Sequence, residues 1–280
     1  MNIQWYPGHM AKTRRIIAED LRMTDLVCEI VDARIPLSSR NPDIDALAAG
    51  KPRLIVLNRA DQSDPDANRR WAACFKAQGF SVLSADSKHG AGIGRFLPEV
   101  RSVMAEKLKR FQEKGQAGRK IKIMVVGIPN VGKSSFINRV IKRKSAKAED
   151  RPGVTRGKQW FSIGDGFELL DTPGILWPKL GDEATGMHLA FTGAVRDEIM
   201  DLETLAAHLM EELAAIKPEA LLSRYKIEGA AGDGPGLLAL AAKNRGFLLP
   251  GGNVDTERMA RILLDEFRSG ALGRITLELP

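Results

Sequence analysis

The stretch from Ile121 to Ile141, IKIMVVGIPNVGKSSFINRVI, decides how the rest of the chain is read. Ile121 to Val126 is an apolar run rich in Val and Ile, which predicts a buried strand. It breaks at Gly127. The eight residues from Gly127 to Ser134, GIPNVGKS, fit the pattern G-x-x-x-x-G-K-[ST], and the apolar spacing of Phe136, Ile137, Val140 and Ile141 then predicts a helix. Strand, glycine loop and helix in that order form a phosphate cradle. Gly127 and Gly132 permit a tight loop with inward-pointing amides, and the helix N-terminus adds partial positive charge. Lys133 is expected to reach the β and γ phosphates and Ser134 to offer its hydroxyl to Mg2+, with Asn130, Val131, Gly132 and Ser135 completing the loop.

Working outward, 280 residues suffice for one large domain or two medium ones. No run of about 18 apolar residues occurs, and the opening MNIQWYPGHMAKTRR lacks the apolar centre of a signal peptide. The sequence therefore reads as cytoplasmic, with no membrane partner, and a monomer is expected. Cys28 and Cys74 fall in strand-like and helix-like apolar patterns, which points to buried thiols, not to a disulfide or a zinc site.

The net charge of +7 is unevenly distributed. Residues 1–184 carry 32 Lys and Arg against 21 Asp and Glu, a net +11, whereas residues 185–280 carry 10 against 14, a net −4. The basic residues are densest from Arg139 to Lys158, next to the phosphate loop, which suggests contact with a polyanion such as RNA.

Upstream of the phosphate loop, WYPGHM leads into an amphipathic helix with Ile16, Ile17 and Leu21. A strand from Leu26 to Val31 runs into DARIP at Asp32 to Pro36, and a second from Arg53 to Leu57 ends in NRAD at Asn58 to Asp61. A helix around Trp71 to Gln78 precedes a third short strand, Ser81 to Leu83, followed by SAD at Ser84 to Asp86. Polar boxes at the ends of successive strands are what an open α/β sheet presents. A long helix is predicted over Ile93 to Gln112, then the polar linker Glu113 to Lys120. Downstream lie PGVT, ending at Thr155, a strand pair near Gln159 to Ile163 and Phe167 to Leu170, and DTPG at Asp171 to Gly174. From about residue 185 helical spacing dominates, which predicts a separate helical domain.

NRAD resembles the guanine box N-K-x-D with Arg59 in place of Lys. The Asp61 carboxylate can accept two hydrogen bonds from guanine N1 and N2, a donor pair that adenine lacks, so an ATP enzyme is disfavoured. Asn58 would tie the box to the phosphate loop, and the Arg59 stem would lie along the base. SAD resembles the box in which a backbone amide, here that of Ala85, donates to guanine O6. Asp86 replaces the usual Lys there, so Ser84, Ala85 and Asp86 are assigned only a turn and a backbone role. Asp171 would hold Mg2+ through water, the Gly174 amide would meet the γ-phosphate, and Thr155 would complete the metal shell. These boxes are rotated: both guanine boxes precede the phosphate loop. A circular permutation explains this if Glu113 to Lys120 joins the old chain ends.

The rotated order, WYPGHM, DARIP, GIPNVGKS, DTPG and the helical tail resemble the ribosome biogenesis GTPase A family of circularly permuted GTPases, over essentially the whole chain. The resemblance implies a P-loop GTPase fold of class α/β over residues 1–184. It also implies a helical domain over 185–280 that binds ribosomal RNA and ribosomal protein. The implied activity is Mg2+-dependent hydrolysis of GTP to GDP, stimulated by an immature large ribosomal subunit late in its assembly. A scaffold that binds RNA and barely hydrolyses its GTP is the alternative. Where many GTPases carry a water-orienting Gln after DxxG, this chain has Ile175. The resemblance makes His9 the candidate for that role, the alternative being a surface histidine. Asn130 resembles an asparagine of K+-activated GTPases, the alternative being a residue that holds the turn. The helical tail, net acidic here, offers Lys243, Asn244 and Arg245 as a local patch for RNA.

Overall fold

The computed structural model describes residues 7–116, 118–145, 160–172, 174, 182–195, 201–228 and 232–280, with side chains from residue 15 onward except 143–145. The chain starts with helix α1 (Pro7–Arg22), then β1 (Leu26–Asp32), α2 (Pro42–Leu47), β2 (Arg53–Asn58), α3 (Pro65–Ala77) and β3 (Ser81–Ser84). A single 3-10 turn (Ile93–Arg95) leads into α4 (Phe96–Val103) and α5 (Ala105–Glu113). Then come β4 (Ile121–Val126), α6 (Lys133–Ser145), β5 (Trp160–Ser162) and β6 (Phe167–Asp171). The helices that follow are α7 (Glu183–Phe191), α8 (Leu202–Ile216), α9 (Pro218–Tyr225), α10 (Gly234–Asn244) and α11 (Thr256–Ser269).

The six strands form one sheet in the order β3-β2-β1-β4-β6-β5, parallel except for β5. Its centre is the seam between β1 and β4, where Leu26 faces Ile123 and Glu29 faces Val126 across the ladder. Every residue of β1 is buried, as a central parallel strand requires. Its two buried carboxylates are paired, Glu29 with Arg40 and Arg53 and Asp32 with Arg34. Because β1, β2, β4 and β6 run in one direction, the segments after Asp32, Asn58, Val126 and Asp171 emerge at the same edge of the sheet.

Three expectations change in detail. Helix α3 begins well before Trp71, because Asp64 caps Asp66 N and Ala67 N and Pro65 occupies the first turn. The helix expected over 93–112 is broken at Met104, whose φ of −98° and ψ of 7° leave the helical range. No helix is predicted between β1 and β2, yet Asn41 caps α2 and Pro42 starts it. Both cysteines are free, and burial beside Glu29 pushes the Cys28 thiol far above its ordinary range.

Among the described residues downstream of β6 the regular elements are the helices α7 to α11, with one isolated bridge between Leu248 and Val254. Helices α8 and α11 bury Leu205, Leu209, Leu213 and Met259, Leu263, Phe267 at intervals of about one turn. These side chains belong to the same apolar cluster as Ile123 and Leu169 of the sheet, so the helices share a core with it. The last residues fold back over the first half of the chain: Ile275 N donates to Gln62 O at 2.9 Å and Leu277 N to Arg34 O at 2.8 Å. Trp71 Nε1 donates to Glu278 O at 2.9 Å. Among the described residues no helix is long and apolar enough to cross a membrane.

Candidate nucleotide-binding site

The loop between β4 and α6 is built for close approach. Gly127 (φ 156°) would place a Cβ 2.6 Å from Ile30 O, and Gly132 (φ 98°) would place one 2.4 Å from Asn58 Nδ2, so neither position admits a side chain. Asn130 has a φ of 57°, which Asn tolerates better than most residues. Lys133 opens α6 and is buried, with Nζ 2.9 Å from Gly127 O and 2.8 Å from Ile128 O. Burial lowers its pKa to about 8, with Asp171 pulling the other way. Burial raises the Asp171 pKa, with the Lys133 charge and the Thr172 amide pulling it back down. Ser134 and Ser135 are exposed at the start of the helix.

The DTPG segment presses on this loop. Thr172 Oγ1 donates to Val125 O at 2.6 Å. At Gly174 a Cβ would stand 2.8 Å from Lys133 Nζ and 2.9 Å from both Cα and N of Pro129. Only glycine lets the backbone come so near the lysine.

The guanine box meets the phosphate loop. Asn58, 2 % exposed, donates from Nδ2 to Val131 O at 2.8 Å, and Arg59 Nη2 donates to Asn130 O at 2.9 Å. Asp61, two residues on, lies on the same loop, partly buried and 3.7 Å from His89 Nδ1. Residues more than seventy positions apart in sequence thus meet at the phosphate loop.

The second box departs from expectation. The Ala85 amide donates to Leu57 O at 2.9 Å and its carbonyl accepts from Ala60 N at 3.1 Å, so its amide is committed within the protein and not to a base. Asp86, 5 % exposed, is also turned inward: Oδ1 accepts from Lys88 N and His89 N, and Oδ2 lies 2.7 Å from His89 Nδ1. Burial would raise its pKa, but these hydrogen bonds hold it below the usual range. Ser84 is exposed at the end of β3. The residue that grips the guanine box is Ser87, whose Oγ and N donate to Asn58 Oδ1 at 2.7 and 3.2 Å. Arg139 on α6 donates to Ser87 O at 3.4 Å and also to Lys88 O, holding that loop from behind.

Other expectations are corrected or lie elsewhere. Arg139 was assigned to the RNA-facing basic run and is instead committed to this loop. Asn244 donates to Tyr225 O and Lys226 O, and Arg245 pairs with Glu266, so neither is a free contact for RNA. Asn130 Nδ2 donates to Gly193 O at 2.6 Å. Its positive φ and this bond fit a residue that holds the turn, the alternative to the K+ role. Thr155 lies outside the described residues. The backbone of His9 lies in α1, but its side chain is outside the described set.

A phosphate loop at the centre of a parallel sheet, a DxxG glycine packed on its lysine, and an N-x-x-D box bonded to it from an earlier strand define a circularly permuted P-loop GTPase. Known proteins agree. The family model described as a 50S ribosome-binding GTPase matches residues 122–227, which include the phosphate loop and DTPG but not the upstream NRAD. Ribosome biogenesis GTPase A of Bacillus cereus is 44% identical over 280 residues, covering 100% of this chain and 95% of that protein. Two structures of YlqF from Thermotoga maritima are similar over nearly their whole lengths. The GNP-bound form has a TM-score of 0.68 at 26% identity and covers 96% of this chain and 98% of its own. The GDP-bound form has 0.66 at 25%, covering 95% and 99%. The chain belongs to the ribosome biogenesis GTPase A family, and is a GTPase with a role in ribosome biogenesis.

Proposed function

We propose that this GTPase acts in late maturation of the large ribosomal subunit, its nucleotide state gating its hold on the immature particle. Support comes from the pair of bonds Asn58 to Val131 and Arg59 to Asn130, which set a purine-reading carboxylate beside a phosphate cradle. The 50S in the family model's description and the GNP and GDP bound to YlqF favour the same reading. The Asp61 carboxylate accepts from guanine N1 and N2, and the Lys133 ammonium neutralises the β and γ phosphates. The Gly174 amide meets the γ-phosphate and senses its loss. The donor set suits Mg2+: the exposed Ser134 hydroxyl and the Asp171 carboxylate would hold it with Thr155, and the ion would neutralise developing charge on the phosphates. His9 orients the attacking water. The helices from about residue 185 contact ribosomal RNA and ribosomal protein.

The deciding experiment is multiple-turnover phosphate release from GTP with and without purified immature large-subunit particles. Strong stimulation, abolished without Mg2+ and reduced by His9→Ala at unchanged GTP affinity, is expected. Particle binding without turnover would favour the scaffold reading. Equal rates in K+ and Na+ at the same ionic strength would remove a potassium role for Asn130.

A further inference from the structure

The guanine box of this chain carries arginine where lysine is usual, and the guanidinium reaches further than the nucleotide loops. Nη2 donates to Asn130 O at 2.9 Å in the phosphate loop, while Nη1 lies 3.3 Å from Gln62 Oε1 and 3.4 Å from Arg268 O in the last turn of α11. Two neighbours reach the same helix end: Arg34 Nη1 donates to Phe267 O at 3.0 Å and Gln62 Nε2 to Ser269 O at 3.2 Å. The final carbonyls of a helix carry its negative dipole end, so cations and amide donors there are favourable. Arg268 in turn donates to Ala190 O at 2.8 Å and Phe191 O at 3.0 Å at the end of α7, and Gly193 O just beyond accepts from Asn130. The contacts form a closed ring: phosphate loop, Arg59, α11, α7 and back to the phosphate loop.

We propose that Arg59 is a positioning residue that couples retention of the guanine nucleotide to docking of α11 and α7, so that a particle displacing these helices loosens the nucleotide loops. The proposal rests on the guanine-nucleotide reading above. A lysine ammonium is a single point of charge and can serve Asn130 O or Arg268 O; the planar guanidinium has separate nitrogens for each. Arg59 adopts a φ of 60°, unusual for a residue with a side chain, and this backbone geometry is kept where the box meets both partners. Coupling of this kind is reciprocal: nucleotide binding must firm the helix ends by the same factor by which helix docking retains nucleotide.

The test is hydrogen–deuterium exchange of the full chain with and without GDP, together with release of a fluorescent GDP analogue. In the wild type, GDP slows exchange in the peptide spanning the end of α11. In Arg59→Lys that slowing is lost although GDP still binds, and the analogue leaves about five- to tenfold faster. The same ring is tested from the helical side by Gly270→Ala, whose Cβ would stand 2.8 Å from Gln62 Cγ. It too should speed release. A merely structural Arg59 would lower Tm in the Lys variant and leave the GDP-dependent protection of α11 intact. Retained protection in Arg59→Lys, release unchanged in Gly270→Ala, or an α11 end indifferent to GDP in the wild type overturns the coupling. Failure of the wild type to bind any guanine nucleotide removes both the coupling and the reading beneath it.

Discussion

His188 sits between two carboxylates, with Nε2 3.1 Å from Glu212 Oε2 and Nδ1 2.9 Å from Glu278 Oε1, and Ser38 Oγ 3.3 Å away. Burial works against its charge, but the hydrogen bonds outweigh it and push its pKa from 6.5 up to about 9. A group raised on folding stabilises fully below its unfolded pKa, and that stability is lost as pH rises through the folded value. The gap in urea stability between the wild type and His188→Gln should therefore shrink by about 3 kcal/mol between roughly pH 6.5 and 9.5, the opposite contribution of Lys133, whose lowered pKa favours folding as pH rises above about 8, cancelling in that difference. A second prediction concerns Ser87. Removing its hydroxyl leaves the Asn58 carboxamide less firmly aimed, so Ser87→Ala should weaken GDP binding about fivefold in calorimetry, the equivalent of about 1 kcal/mol. NRAD was legible because Asn, Asp and their spacing carry the chemistry. Ser87 was not, since its partner lies 29 residues away and the three-letter box SAD ended one residue too soon.

At the scale of elements, α6 carries the phosphate loop and α4 supports the strands bearing the guanine boxes. They meet through Phe96 and Phe136, fully buried rings 5.1 Å apart in an edge-on arrangement. Phe136→Ala should cost about 3–5 kcal/mol in denaturant unfolding, by cavity formation at that contact. All six strands were legible as apolar runs bounded by turn residues. The helix boundaries were less so. The apolar spacing through Phe96, Val100, Met104, Leu108 and Phe111 continues across the break at Met104, so periodicity alone could not reveal two helices. The short α2 has a cap and a proline to announce it but only one buried side chain, Ile44, too few for a period.

For the molecule as a whole, DARIP acquires a task that composition could not show. Asp32 and Arg34 form a bidentate pair with side chains only 2 % and 1 % exposed, and Arg34 also reaches α11. Burial would raise the Asp32 pKa, but Arg34 and Arg59 hold it below the usual carboxylate range. Arg34→Leu leaves that carboxylate with the residue-34 amide and, among the described residues, Arg59 as its one remaining cation, and strips a donor from Phe267 O. Loss of about 3–5 kcal/mol is expected, read as a lower urea midpoint. The rotated order of boxes disclosed that the two halves of the sheet must meet. How tightly the tail binds back over Gln62, Arg34 and Trp71 was hidden, because those bonds join groups some two hundred residues apart and two of the three lie between backbone atoms.

The seam between β1 and β4 has a consequence for biosynthesis. A nascent chain finishes β1 to β3 before β4 exists, and through α4 and α5 the unpaired edge of β1 waits for its neighbour. At cellular elongation rates of about 5–20 residues per second the wait lasts on the order of ten seconds. A strand edge held open that long is a template for pairing with other chains until β4 closes it.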